Sequence, residues 1–86
     1  MTINLRDRKD FYRTSDLALA ATLGVSGFVI EDVEKTCSLR SVFVIKKPIE
    51  LDMDETIRRY WRGEMKVEPQ SYFNQLKILK TRIYQR

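Results

Sequence analysis

At 86 residues, 43% hydrophobic and 33% charged, the chain has the composition of a globular domain and not that of a disordered one. That length leaves room for one core, so residues 1–86 are expected to form a single small domain, with dimerisation as a way to add buried surface. The net charge of +4 is modest but one-sided: residues 69–86 hold Lys77, Lys80, Arg82 and Arg86 and no acid, while the 68 residues before them carry twelve charges of each sign.

Along the chain, residues 1–10 are rich in charge and are expected to fray. Thr14 or Ser15 can cap a first helix, with Asp16 favoured in its first turn by the helix dipole. Leu17 to Leu23 is a nearly continuous run of good helix formers that Gly24 is placed to stop. Such a short, apolar helix belongs inside the fold. Phe28 to Val33 then predicts a strand, and Leu39 to Lys46 a second one, closed by Pro48. Thr36, Cys37 and Ser38 suit the connection of a hairpin.

Asp52, with Glu55 three residues on, forms a capping box that uses Asp in place of Ser or Thr. Met53, Ile57, Tyr60 and Trp61 recur at helical spacing behind it, and Gly63 ends the run. Glu64 to Glu68 alternates polar and apolar residues and offers a short third strand. Pro69 fits the first position of a last helix that continues to about Tyr84. The expected fold is therefore α+β: an antiparallel hairpin against about three helices, in the order α-β-β-α-(β)-α.

In the last helix, Tyr72, Phe73, Leu76, Leu79, Ile83 and Tyr84 fall in one broad arc, and Lys80 projects from inside it. Two accounts of Lys80 stand. Its methylenes cover the core edge while the ammonium reaches water, or it contacts an anion at the rim of a groove. Ile78 points to the polar face with Asn74, Arg82 and Gln85. On the preceding helix, Arg58, Arg59 and Arg62 extend the positive region, and Arg58 and Arg62 share a face from which two guanidiniums can address neighbouring phosphates. The plainer account is a solvated face partly paired with Asp54 and Glu55. The aromatic residues come as neighbours (Phe11-Tyr12, Tyr60-Trp61 and Tyr72-Phe73), so one ring of each pair packs inward and the other lies at the boundary, where it can stack on an unpaired base.

The chemistry of catalysis is thin. Without histidine there is no imidazole base and no histidine metal site. Cys37 is the sole cysteine, which precludes an internal disulfide and fits a reducing cytoplasm. The acidic cluster Asp52, Asp54 and Glu55 could hold a divalent ion weakly, but capping and dipole compensation at a helix start explain it more cheaply. The three glycines are isolated, so no phosphate loop is formed. No stretch approaches the roughly 20 apolar residues of a spanning helix, and the start of the chain lacks the apolar run of a signal peptide. A non-enzymatic binding module of the cytoplasm, without metal, cofactor or membrane, is the expectation.

Several stretches taken in order carry a resemblance: Tyr12 to Ala21; Gly27-Phe28; Glu31-Asp32-Val33-Glu34; Tyr60-Trp61-Arg62-Gly63-Glu64; Val67-Glu68-Pro69; Tyr72-Phe73; and Leu76 to Tyr84. Together they resemble a family of small bacterial, phage and mobile-element proteins catalogued as a domain of unknown function, over roughly residues 11 to 84. The resemblance implies a prokaryotic or phage setting and one compact domain, and brings no activity, cofactor or catalytic residue with it. Two functions follow from the residues. One is a nucleic-acid-binding accessory protein using Arg58, Arg59, Arg62, Lys77, Lys80, Arg82 and Arg86 on DNA or RNA backbone, with Tyr60 or Tyr72 stacking. The other is a protein-binding adaptor, inhibitor or small subunit of a larger assembly.

Overall fold

In the computed structural model, residues 10–37 and 40–84 are described. The chain forms β1 (Phe11–Thr14), α1 (Leu17–Val25), β2 (Ile30–Cys37), β3 (Arg40–Lys46), α2 (Met53–Trp61) and α3 (Pro69–Tyr84). The fold is α+β, with three helices and a three-stranded antiparallel sheet in the order β1-β3-β2.

The hairpin and the helices lie where the sequence places them, but the third strand does not. It is Phe11–Thr14 at the start of the chain, paired with β3 from Phe11↔Lys46 to Thr14↔Phe43. Residues 64–68 have no regular structure and link α2 to α3. The fraying expected of residues 1–10 falls, for 1–9, outside the described residues. Asp10 is tied down: its carbonyl accepts a hydrogen bond from the Lys47 N–H at 2.8 Å. Ser38 and Arg86, and the side chain of Cys37, also lie outside the described residues.

Local chemistry sets the helix ends. Asp16, rather than Thr14 or Ser15, caps α1 by accepting from the Leu19 N–H, while the Thr14 hydroxyl oxygen accepts from the Asp16 N–H. α1 runs past Gly24 to Val25 and closes with Gly27 N–H on the Gly24 carbonyl and Phe28 N–H on the Leu23 carbonyl. α2 closes in the same way, Gly63 N–H to Tyr60 and Glu64 N–H to Arg59. This paired pattern needs a left-handed residue just past the helix, and the two glycines supply it at φ 104° and 74°.

α1 is the centre of the molecule. Leu19, Ala20, Ala21, Thr22 and Leu23 are all buried, with the sheet on one side and α2 and α3 on the others. The one hydroxyl in that run is satisfied internally, Thr22 Oγ1 donating to the Ala18 carbonyl at 2.8 Å. Phe28, Val33, Phe43, Ile45, Met53 and Leu79 complete the core. Across the opposite face of the sheet, Arg13 of β1 reaches Glu34 of β2 at 3.2 Å, passing over the central strand at Val44, which is fully buried.

Candidate nucleic-acid interface

The position of α3 against α1 decides which of its residues face solvent. Leu79 is its buried residue, flanked by half-buried Tyr72, Gln75, Leu76, Arg82 and Ile83. Gln75 lies so close to Gly24 that a Cβ there would stand 2.7 Å from its Oε1. The helix is thus rotated toward Gln75 and away from Phe73. Phe73 and Tyr84, expected within the core arc, are 58% and 82% exposed. Ile78 is exposed, as expected.

This rotation creates a stripe. Phe73, Lys77, Lys80 and Tyr84 are spaced i, i+4, i+7 and i+11, which keeps them on one side of an α-helix, and all four are exposed. Lys80 is exposed, on the helix face between Leu76 and Phe73. The Lys77 ammonium lies 5.3 Å from the centroid of the Phe73 ring, within cation–π range. α3 has no acidic residue, and among the described residues no carboxylate forms an ion pair with Lys77 or Lys80. Beside Phe73, a shallow depression lined by Pro69, Gln70, Phe73 and Asn74 opens to solvent.

Arg82 is built differently. Its Nη1 donates to the Ile30 carbonyl at 3.0 Å, so the side chain ties α3 to β2 and is half-buried, not extended from the polar face beside Asn74. Arg86 lies outside the described residues.

On α2, Asp52 caps as expected by accepting from the Glu55 N–H at 3.0 Å. Glu55 does not complete the reciprocal bond but accepts from Arg58, which holds that guanidinium even more firmly protonated. Asp54 stands 4.0 Å from Lys47. The acidic cluster is accordingly taken up by capping and pairing, and among the described residues no group of side chains is arranged to hold a metal ion. Arg59 and Arg62 are exposed, and among the described residues neither forms an ion pair. Since α2 and α3 each lodge chiefly against α1, the arginines and the lysines form two positive areas on separate helices.

The stacking roles expected of Tyr60 and Tyr72 do not fit their positions, because both pack on the core. Burial, followed by the nearby Asp16 and Tyr72, pushes the Tyr60 phenol up. Their sequence neighbours face solvent instead: Trp61, 64% exposed and set edge-on to Tyr60 at 4.9 Å, and Phe73. A signal for the stripe is present in the sequence, since Phe73 and Tyr84 bracket Lys77 and Lys80 at helical spacing.

The α3 N-terminus is braced by Glu68. Its carboxylate accepts from the N–H groups of Ser71 and Gln70 and from the Ser71 hydroxyl, and these bonds hold it below the usual carboxylate range. Pro69 occupies the first helical position, where its missing N–H costs nothing.

No helix of the described residues is long and apolar enough to cross a membrane. No curated protein and no solved structure matches the chain. A family model does, over residues 9–85, and the chain belongs to that family, the domain of unknown function DUF5659.

Proposed function

We propose that this protein is a non-enzymatic nucleic-acid-binding accessory protein, working in the cytoplasm of a bacterial cell or, for a phage or mobile element, of its host. The observation that carries the reading is the outward pair Lys77 and Lys80 on a helix with no acidic residue. Two ammonium groups without competing carboxylates attract a polyanion and exchange its condensed counterions for protein contacts. Arg59 and Arg62 on α2 supply a second area for the same backbone, Arg58 contributing once Glu55 yields it. Contacts of this kind position a protein without reading sequence, so affinity is expected to be weakly sequence-dependent.

A gel-shift series with random-sequence oligonucleotides tests the reading against K77E/K80E. Both positions are exposed, so the variant keeps the fold. Shifts that vanish in the folded variant support the reading, and the absence of a shift with wild-type protein at low salt sinks it.

A second reading, a protein-binding adaptor or small subunit, is favoured by another region. Between β3 and α2, Ile49 is fully exposed, and Val29 and Leu51 line an open depression of about 350 Å³ with Gly27, Lys46, Pro48 and Glu50. Apolar surface of this sort marks protein contacts. Binding through it would survive high salt and be lost on Ile49→Asp.

A further inference from the structure

We infer that the ligand of the α3 surface is single-stranded nucleic acid, with Phe73 and Tyr84 as stacking platforms for unpaired bases and Lys77 and Lys80 holding the phosphates between them. The inference rests on the nucleic-acid reading above and narrows it to one class of strand.

The argument starts from exposure. Phe73 and Tyr84 give away the burial that their rings would gain in the core, and Tyr84 is 82% exposed. Neither ring closes a gap in the packing, because Leu76, Leu79 and Ile83 cover α1 without them. Both lie in line with Lys77 and Lys80, which no carboxylate pairs with among the described residues. At 1.5 Å per residue the rings stand about 16 Å apart along the helix axis. That distance matches about five stacked nucleotides at ~3.4 Å each, and fewer in an extended strand.

Duplex and single strand make different demands on such a surface. A duplex offers phosphates to the lysines but keeps the faces of its bases stacked on one another, so an exposed helix-borne ring gains little from it. A single strand offers both. Each base presents a π-face whatever its identity, which suits aromatic platforms without base-specific hydrogen bonds. With the Lys77 ammonium over one face of the Phe73 ring, a phosphate held there brings its base to the ring's other face. The shallow depression at Pro69, Gln70, Phe73 and Asn74 gives that base an edge to rest on.

The test compares fluorescence anisotropy titrations of a labelled single strand, as DNA and as RNA, with those of a duplex of the same length. The proteins are wild type, F73A/Y84A and K77E/K80E, each checked for folding by circular dichroism. Loss of stacking on Ala substitution amounts to about 5- to 160-fold in affinity per ring. F73A/Y84A is therefore expected to weaken single-strand binding at least about 25-fold in DNA, RNA or both, while its duplex binding stays within about twofold of wild type. K77E/K80E is expected to lose both. Equal affinity for duplex and single strand, untouched by F73A/Y84A but lost in K77E/K80E, would overturn the single-strand inference and leave the nucleic-acid reading standing. Binding of neither form by wild-type protein would overturn both. A change of oligomeric state in F73A/Y84A with unaltered single-strand affinity would also overturn the inference, and would assign the stripe to a second copy of the chain.

Discussion

Arg82 and Lys80 are two residues apart on a basic helix, yet their positions give them opposite tasks. Lys80 is free in solvent, whereas Arg82 spends an N–H on the Ile30 carbonyl and spans from α3 to the sheet. Hydrogen bonds to a charged group contribute about 1.5–3 kcal/mol, and partial exposure of this one places it at the lower end. Arg82→Met keeps most of the aliphatic stem and removes the donor. It is expected to lower stability by about 1–2 kcal/mol in urea denaturation, whereas Lys80→Met, with no ion-pair partner among the described residues, stays within about 0.5 kcal/mol. Charge-reversal variants of the surface should therefore spare Arg82, since its loss mixes folding with binding. Counting basic residues cannot make this distinction. Charge is a property of the residue, and availability is a property of its surroundings.

At the scale of elements, the helices and the hairpin were legible because each is specified locally: an apolar run at a fixed period, a cap, and a glycine past the end. β1 was not. Its residues, Phe-Tyr-Arg-Thr, are too few to show alternation, and they become a strand by pairing with Phe43 to Lys46, some thirty residues onward. Residues 64–68 show the converse: they alternate in type but join no strand of the sheet, and alternation without a partner leaves them irregular. In α3 the period was right and the orientation was not. Six apolar residues spread over a wide arc leave the buried direction undecided, and in the fold Gln75 faces Gly24 while Phe73 and Tyr84 face solvent. The sequence therefore shows the basic helix, and its periodicity alone does not show which way Phe73 and Tyr84 face. The same helix has an acid-sensitive start. Glu68 in the folded state titrates below its ordinary value of 4.5, so its stabilisation is fully present above that value and is lost as pH falls through the lowered one. Thermal melts at neutral pH and near pH 3 should show a smaller acid-induced drop in Tm for Glu68→Gln than for wild type; equal drops would mean that the Glu68 bonds to Ser71 and Gln70 do not stabilise α3.

The whole molecule places one apolar helix, α1, among a sheet and two helices, and this leaves the outer side of α3 with no packing duty. The net charge of +4 on 86 residues is modest, so the position of its cations matters more than their sum. On the proposed reading, binding comes from the cations that no carboxylate pairs with among the described residues, and of these Lys77 and Lys80 share one helical face with two aromatic rings. The most direct test is the dependence of single-strand affinity on salt between about 50 and 200 mM, for wild type and K77Q/K80Q. Each phosphate neutralised adds about 0.7 to the slope of log affinity against log salt, so losing two lysine contacts should make the slope shallower by about 1.4. A steep wild-type slope that flattens by this amount is the result predicted. An unchanged slope in the variant, or a wild-type affinity indifferent to salt, would contradict it.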